Sequence, residues 1–242
     1  AEDELALAPD AAGADLPPAL PDLQRLLTLA RLVSMRPDVG NASALAVQLA
    51  GELAALVDSV ETEGLSLDNL DKLVPERFEA HWQATLKFLD IVRLNWPAIL
   101  AEKGAMNPAA RRIALIDAAA ERWRAAPPDH PVYAAGSTGS IPATGRLLGL
   151  VARLTRGALV LPGFDTGLDA AALEAIVGDC AHPQHGMVLL LREIRVDPRE
   201  VVEWVPPANP VRLALFRTAL APAALTADWP ALPPVPDAAL AG

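Results

Sequence analysis

A glycine-rich run near the middle of the chain carries the residue types best suited to binding a phosphate group. The run Gly136–Thr144 mixes glycine with serine and threonine between two apolar segments, and Arg146 follows it. Backbone N–H groups that open a helix bind anions, because the helix dipole favours negative charge at that end. The candidate phosphate contacts are Ser137, Thr138, Gly139, Ser140 and Arg146. The alternative is a tight strand-to-helix turn, in which glycines supply positive φ angles and Ser140 caps the helix before Pro142.

The same run lacks the lysine that a nucleotide-hydrolysing P-loop requires. The Walker pattern G-x-x-x-x-G-K-[ST] surrounds the phosphates with backbone N–H groups, while its lysine reaches the outer phosphate oxygens. Gly136, Gly139 and Gly145 supply backbone freedom here, but no lysine follows them. The run therefore has the shape of a nucleotide site without its charge. A self-contained α/β enzyme that binds a nucleotide or a phosphorylated metabolite at Gly136–Thr144 stays open as an alternative.

Two further groups of residues imitate chemical sites. Metal-ligand types occur at Asp179, Cys180, His182 and His185, but their spacing is irregular and a proline interrupts them. A serine, a histidine and an aspartate for acyl transfer exist as Ser137, His182 and Asp165, but no G-x-S-x-G elbow is present to expose a nucleophile. We therefore predict no catalytic residue, no bound metal and no cofactor in this segment.

The composition indicates a folded protein and argues against an independent DNA-binding module or a membrane protein. The chain has 242 residues, of which 52% are hydrophobic, so it has room for one large domain or two small ones with a real core. A net charge of −10 argues against an independent DNA-binding module, which gains affinity from lysine and arginine. No apolar run approaches the roughly 20 residues that span a bilayer, and no signal peptide is evident, so we expect no membrane partner.

Proline, charge and hydrophobic periodicity divide the chain into four parts. We predict an acidic linker over 1–19, a helical subdomain over 20–128, an α/β subdomain over 129–222 and a proline-rich irregular tail over 223–242. In the helical part, Asn41 and Ser66 are candidate caps, and Asn107 followed by Pro108 is a strong helix start. Four arginines on that last helix either face DNA or form a solvated surface with neighbouring acids: Arg111, Arg112, Arg122 and Arg124.

The α/β part alternates short apolar strands with helices. Strands are predicted at 131–135, 157–161 and 200–205, and helices at 142–154, 183–194 and 210–220. The strands are apolar throughout instead of alternating, which is typical of a parallel sheet covered on both faces. The predicted fold is thus α/β, with an all-helical part followed by a small parallel sheet that has helices on both faces.

A set of motifs in this order resembles the alphaproteobacterial AddB subunit of the AddAB helicase–nuclease. The motifs are Ala134–Thr144, Gly157–Thr166, His182–Gly186, Val201 with Trp204, and Ala219–Pro222 with Thr226 and Trp229. The acidic Glu2-Asp-Glu4 and the Leu16–Leu20 segment resemble it as well. The resemblance covers nearly the whole chain, and it implies an internal piece of the helicase-like half of a longer protein.

The resemblance also implies that this helicase-like fold, of the superfamily 1 and P-loop NTPase type, is inactivated. Active relatives end a buried strand in an Asp-Glu pair that holds Mg²⁺ and orients the attacking water. The strand that resembles it, Val132–Ala135, ends in Gly136-Ser137, and no acidic pair occurs between Tyr133 and Phe164. The next segment keeps Asp165 but lacks the glutamine expected beside it.

The functional expectations follow from that resemblance. The segment is expected to be non-catalytic and to scaffold and guide DNA within a DNA double-strand-break repair complex. Its expected partners are the AddA helicase–nuclease subunit and DNA, and its expected location is cytoplasmic and nucleoid-associated. The family's iron–sulfur cluster and Mg²⁺ belong to a nuclease domain that this sequence lacks. A purely structural interaction domain is a further alternative.

Overall fold

A computed structural model describes residues 15–36, 42–68, 79–227 and 229. The α-helices are α1 (Asp22–Ser34), α2 (Ser43–Thr62), α3 (Glu79–Asp90), α4 (Trp96–Glu102), α5 (Pro108–Ala125), α6 (Pro142–Val151), α7 (Ala170–Val177), α8 (His185–Glu193) and α9 (Pro210–Ala219). The strands are β1 (Val132–Ala135) and β2 (Gly157–Val160). A π-helical turn spans Ile91–Asn95, and 3-10 turns span Pro198–Glu200 and Ala223–Leu225. The described chain is mostly helical with a small parallel sheet, which confirms the mixed α/β class.

The chain separates into two compact units. The first consists of Ala1–Ala126 with Ile141–Ala143, and the second of Pro127–Ser140 with Thr144–Gly242. The first, called the helical unit below, contains helices α1 to α5. The second, called the sheet unit, contains both strands.

Helices α1 and α2 form the centre of the helical unit. Both are amphipathic, and their buried sides belong to one hydrophobic core. From α1 the core takes Leu29 and Val33, and from α2 it takes Ala50 and Leu53. The π-helical turn adds Ile91 to the same core.

Leucines at helical spacing predict the apolar faces of these two helices, but several of those leucines lie outside the buried sides. Leu23 and Leu27 of α1 and Leu45 and Leu56 of α2 are exposed. The buried positions of α2 are Ala46, Ala50, Leu53 and Val57, which repeat at helical spacing with two alanines among them. Small side chains on the inner face let neighbouring helices approach closely, and this moves the leucines to the flank.

Helix α1 also carries a buried arginine, Arg25, that the sequence did not predict. The guanidinium of Arg25 is almost fully buried and donates to both oxygens of Asp58 at 2.8 and 2.9 Å. Its Nη2 also donates to the carbonyl of Ala54 at 2.7 Å. A buried charge is tolerated when it is paired and hydrogen-bonded in this way. Arg25 therefore fixes the register between α1 and α2.

A chain of buried hydrogen bonds joins α2 to the start of α5. The indole N–H of Trp96 donates to Asn107 Oδ1 at 3.1 Å, and Asn107 Nδ2 donates to Glu61 Oε2 at 2.9 Å. The predicted helix start at Pro108 is confirmed. The predicted capping role of Asn107 is wrong, because its side chain makes these two bonds and no capping bond. Trp96 lies on an apolar helical face in the sequence, which predicts a core residue, and the structure confirms that it is buried.

Glu61 is an acid in an environment that disfavours its charge. Burial raises the pKa of Glu61 above its ordinary value, and the neighbouring carboxylate of Asp58 adds to the rise. Hydrogen bonds from Asn107 and from the N–H of Ala110 oppose it without cancelling it. The carboxylate of Glu61 is therefore a candidate source of pH-dependent stability.

We expect Glu61→Gln to remove a pH dependence from the stability of the helical unit. The pKa of Glu61 is raised above 4.5 in the folded chain, so the folded state binds more protons than the unfolded state. Stability of the wild type should then fall as the pH rises from 4.5 through the folded pKa. Glutamine keeps an acceptor for Asn107, so the variant should equal the wild type at neutral pH or exceed it by up to about 1 kcal/mol.

Urea unfolding across the acidic to neutral range measures this slope. Glu52→Gln, an exposed position on the same helix, is the matched control and should change stability by less than about 0.5 kcal/mol. An unchanged slope in the Glu61→Gln protein would show that Glu61 is not the titrating group.

Helix α2 also has a property not expected from the sequence. It is 20 residues long and apolar enough to cross a membrane by length and composition alone. Buried core helices of soluble proteins can have the same length and apolar composition. Here α2 carries the ion-paired Asp58 and the hydrogen-bonded Glu61, and it contributes Ala46, Ala50, Leu53 and Val57 to the core of the helical unit.

The sheet unit is built on a strand–helix–strand connection. Strands β1 and β2 are parallel, with Val132 opposite Gly157 and Ala135 opposite Val160, and α6 lies between them in the chain. Leu148 of α6 and Leu190 and Leu191 of α8 form the core of this unit with Ile194. The two predicted strands are confirmed within one residue.

The predicted third strand at 200–205 is wrong. Asp197 and Glu200 form a capping box around the 3-10 turn Pro198–Glu200, and this turn takes up the start of the expected strand. The following residues Val201–Val205 pair with no strand in the described chain. Pro206 and Pro207 come next, and proline has no N–H to donate to a ladder. Helix α7 was not predicted.

Several predictions fall outside the described residues. These are most of the acidic linker over 1–19, the cap at Asn41, the helix expected to end at Pro75, and most of the tail over 223–242. The sequence also places Trp82 on an apolar helical face and so predicts a core residue, but its side chain is outside the described ones. Ser66 is described, and its hydroxyl accepts from the N–H of Asp68 at 3.0 Å.

Candidate functional site

The loop after β1 adopts the conformation of a tight turn. Gly136 has φ +79° and Gly139 has φ +65°, a region that favours glycine. The hydroxyl of Ser137 accepts from the N–H of Gly139 at 3.2 Å, which closes the turn. Helix α6 begins at Pro142, so Ser140 lies one residue outside the capping position predicted for it.

Two glycines, Gly139 of this loop and Gly145 of α6, lie against helix α8. A β-carbon on Gly139 would stand 2.7 Å from Leu190 Cδ1, closer than atoms can approach. A β-carbon on Gly145 would stand 3.0 Å from a carboxylate oxygen of Glu193. Because Gly139 and Gly145 have no side chain, the loop and α6 can approach α8 closely. It also places the negative charge of Glu193 near the loop, which disfavours a phosphate there.

The structure brings the five candidate phosphate contacts into one loop and the first turns of α6. Ser137, Thr138 and Gly139 are partly buried, whereas Ser140 and Arg146 are exposed. Their exposure leaves a phosphate group access to the end of the loop. The assignment of these residues as DNA contacts stays a prediction.

No carboxylate directly follows β1 in the chain. The strand ends at Ala135 and continues into Gly136 and Ser137. After β2, the first carboxylate in the chain is Asp165. Asp165 is therefore the residue whose environment decides whether this end of the sheet resembles an ATP motor.

Asp165 is held in an ion pair by an arginine from α9. Arg217 Nε donates to Asp165 Oδ2 at 2.7 Å, and Arg217 Nη2 donates to the other oxygen, Oδ1. The N–H of Gly167 donates to Oδ1 at 3.0 Å. The side chain of Asp165 is 9% exposed. Both carboxylate oxygens are thus occupied by protein donors.

The guanidinium also needs the small residue beneath it. A β-carbon on Gly167 would lie 2.1 Å from Arg217 Nη2. Burial raises the pKa of Asp165, but the hydrogen bonds and charge of Arg217, with the N–H of Gly167, outweigh burial and hold that pKa below its ordinary value. The contact with Asp165 in turn raises the pKa of Arg217. The pair is therefore charged across the neutral range.

We expect Asp165→Asn to destabilise the sheet unit by about 1–3 kcal/mol at neutral pH, because the nearly buried side chain at this position loses its ion pair with the partly exposed Arg217. The pKa of Asp165 is below 3.8 in the folded chain, so this contribution is present above pH 3.8 and is lost as the pH falls through the folded pKa. The stabilities of variant and wild type should therefore converge in acid. Urea unfolding at several pH values measures both effects.

The exposed ion pair between Glu174 and Arg192 supplies the matched control. The Glu174 side chain is 74% exposed, and Glu174→Gln should change stability by less than about 1 kcal/mol. Equal losses in the Asp165 and Glu174 variants would mean that the Asp165 pair is not specially stabilising.

A glutamine reaches Asp165 from a distant part of the chain. Gln184 Oε1 accepts from the backbone N–H of Asp165 at 3.2 Å, and Gln184 Nε2 donates to the carbonyl of Gly163 at 3.1 Å. The sequence near Asp165 contains no glutamine, because the glutamine that contacts it lies 19 residues further along the chain. Gln184 holds the backbone of the segment that follows β2.

A cavity of about 600 Å³ opens beside the Asp165–Arg217 pair. Its apolar walls include Phe164, Leu213, Phe216, Leu225 and Trp229, and its polar groups include Asp169, His182, Gln184, Glu203 and Arg217. This size and composition are typical of small-molecule sites. The glycine loop Gly136–Thr144 contributes no residue to this cavity. Sequence reasoning missed the cavity because its residues are far apart in the chain and Arg217 and Glu203 belong to no motif.

The residues that imitate a metal site are engaged in other contacts. His182 Nδ1 accepts from the N–H of Gln184 at 3.1 Å, and its Nε2 lies 2.8 Å from the carbonyl of Leu220. His185 Nδ1 lies 2.9 Å from the carbonyl of Ile176. Cys180 is exposed and unpaired. Across the part of the chain that the structure describes, no group of three His, Cys, Asp or Glu residues could hold a metal ion.

The serine, histidine and aspartate considered for acyl transfer do not form a triad. The hydroxyl of Ser137 makes a hydrogen bond within its own loop. His182 makes hydrogen bonds with the N–H of Gln184 and the carbonyl of Leu220, and Asp165 is bound by Arg217. None of these bonds joins one of the three side chains to another. The arginines of α5 likewise have protein partners, since Arg111 donates to the Pro17 carbonyl at 3.0 Å and Arg112 and Arg122 take part in further contacts.

Comparisons with known proteins place the chain in no group. No protein family, no curated protein and no solved structure matches it.

Proposed function

We propose that this chain is a non-catalytic, helicase-like segment of a DNA double-strand-break repair subunit. In this proposal it scaffolds and guides DNA beside an AddA-type helicase–nuclease in the cytoplasm, and its fold is an inactivated relative of the P-loop NTPases. The observation that supports it most is the state of Asp165. The carboxylate that follows β2 is bound by Arg217 and Gly167 and cannot serve a metal without losing them.

The chemistry of magnesium gives this observation its weight. Mg²⁺ demands a near-octahedral set of oxygen ligands and dehydrates reluctantly, so ATP motors present free carboxylate oxygens to it. At the end of β1, glycine and serine stand where such carboxylates would be. At the end of β2, a positively charged guanidinium already occupies the position beside Asp165. A cation would have to displace Arg217 from this carboxylate.

The loop Gly136–Thr144 is the part of this segment proposed to meet DNA. Its exposed end carries Ser140, and the exposed Arg146 lies in the second turn of α6. A protein with a net charge of −10 gains little from general attraction to phosphates, so any affinity must come from such local groups. Binding is therefore expected to be weak and to have a shallow salt dependence, because the slope grows with the number of phosphates that cations neutralise.

Fluorescence anisotropy with a labelled single-stranded oligothymidylate at low salt tests this proposal. We expect saturable binding that Arg146→Glu weakens several-fold, with a salt slope smaller by about 1. Arg199→Glu makes the same charge change on an exposed residue outside the loop, and it should leave binding unchanged. Equal weakening by the two variants would overturn the assigned contact, and no binding at low salt would overturn the DNA role of this segment.

A further inference from the structure

The outer edge of β2 presents unpaired backbone groups. Val132 N–H donates to the Arg156 carbonyl at 2.9 Å and Gly136 N–H donates to the Val160 carbonyl at 3.2 Å, so alternate residues of β2 face β1. The intervening residues Leu159 and Leu161 must then direct their N–H groups to the opposite edge. In the described part of the chain these two N–H groups have no hydrogen-bond partner. The described sheet has only two strands, so this edge is open.

A cavity of about 630 Å³ runs along this edge. The consecutive residues Ala158–Leu161 all line it, although their side chains alternate between the two faces of the sheet. A cavity that touches every residue in turn must lie beside the backbone. The consecutive residues Glu200–Val205 line it too. We call this space between Ala158–Leu161 and Glu200–Val205 the β2 slot.

The lining of the β2 slot is apolar and incompletely covered. Val202, Trp204 and Val205 are 84%, 78% and 76% exposed. A two-stranded sheet is marginally stable by itself, and parallel strands are normally buried within larger sheets. Both observations indicate that the described part of the sheet unit leaves room for a neighbouring strand.

We propose that the β2 slot binds an extended apolar segment of another polypeptide, which pairs with β2 as a third strand and carries a basic residue beside its apolar ones. Addition of a strand to an open sheet edge is a common mode of peptide recognition, in which backbone bonds supply affinity and alternate side chains supply specificity. The basic residue is inferred from charge. The charged side chains that line the slot are Glu200 and Glu203, and both are acidic.

The residues of the given sequence that lie outside the described ranges have a composition that suits the β2 slot poorly. Residues 1–14 and 230–242 contain neither lysine nor arginine, and the latter stretch contains four prolines. Residues 69–78 have basic residues, but proline interrupts them at Pro75. A second copy of the chain would bring its own Glu200 and Glu203 towards the same two acids. A different polypeptide with basic and apolar residues therefore suits the slot better than these stretches or a second copy of the chain.

Peptide binding to the full chain tests the proposal. The probe is a fluorescein-labelled heptapeptide of alternating valine and threonine with an arginine at each end. We expect a saturable rise in anisotropy, and protection of the Leu159 and Leu161 amides from hydrogen exchange. A peptide with proline at its centre should bind about tenfold more weakly, because it lacks a backbone donor. Glutamate in place of both arginines should also weaken binding.

Two tryptophans give matched protein variants. Trp204→Ser removes a wall of the slot and should weaken binding, whereas Trp229→Ser alters the cavity beside Arg217 and should not. Absence of saturable binding, equal binding of the proline peptide, or equal effects of the two variants would overturn the proposal. Light scattering that shows a dimer disrupted by Trp204→Ser would assign the slot to a second copy instead. The proposal does not depend on a role in DNA repair, so failure of DNA binding leaves it untouched.

Discussion

Replacement of Trp96 by alanine is expected to lower the free energy of unfolding of the helical unit by about 3–5 kcal/mol. Trp96 is one of the largest fully buried side chains in the described chain. Its indole N–H donates to Asn107 Oδ1, and Asn107 in turn donates to Glu61. Removal of the ring leaves a large cavity and an unpaired acceptor on a residue that is itself buried. Both effects act in the same direction.

Two further variants separate these effects. Trp96→Phe keeps most of the apolar volume but removes the donor, so it should cost about 1–3 kcal/mol. Trp204→Ala is the matched control, since that tryptophan is exposed, and it should change stability by less than about 0.5 kcal/mol. Chemical denaturation followed by circular dichroism gives the three values. Losses for Trp96→Ala and Trp204→Ala of the same size would contradict the placement of Trp96 in the core.

The second large effect is expected at Gly139. Alanine at this position must adopt φ +65° and would bring its β-carbon to 2.7 Å from Leu190 Cδ1. Leu190 is 1% exposed, so its side chain has little room to move away. Overpacking of this kind costs about 1–3 kcal/mol in addition to the strain of the positive φ angle. The sheet unit should lose this amount of unfolding free energy.

Gly136 supplies the control for Gly139. Its φ is +79°, but a β-carbon there would meet no atom within 4 Å, so Gly136→Ala should show the backbone strain alone. The double variant Gly139→Ala with Leu190→Ala should lose less than the sum of its parts, because the second change removes the clash. Additive losses, or equal losses at Gly136 and Gly139, would mean that the loop does not lie on α8 as described. The outcome thus separates a glycine needed for contact with α8 from one needed only for its backbone angle.

Local signals in the sequence predicted the local structure well. Pro108 after Asn107 marked the start of α5, and two apolar runs separated by a helical pattern marked β1, α6 and β2. These features are decided by neighbouring residues, through the fixed φ of proline and the spacing of apolar side chains. The fold class at this level could therefore be predicted.

The contacts that define the site could not be predicted in this way. Asp165 and Arg217 are 52 residues apart, and no motif links them. Gln184 reaches the backbone of Asp165 from 19 residues away. In the same manner, the bonds that Asn107 makes with Trp96 and Glu61 replaced the cap that its position suggested. Long-range pairing decided each of these cases over the local preference.

The third strand shows a different limit. Residues 200–205 have the composition of a strand, but a strand also needs an edge to pair with. In the structure the capping box around Asp197 takes up its beginning, and the β2 slot separates the remainder from β2. The composition of this segment agrees with its place beside a sheet that lacks a strand.

Isothermal titration of ATP–Mg²⁺ into the full chain tests most directly whether the end of the sheet has lost the function of an ATP motor. With Asp165 bound to Arg217 and no carboxylate at the end of β1, we expect no heat of binding up to about 1 mM nucleotide. A micromolar dissociation constant that requires Mg²⁺ and disappears in Asp165→Asn would contradict this, because it would show that Asp165 leaves Arg217 to hold the metal.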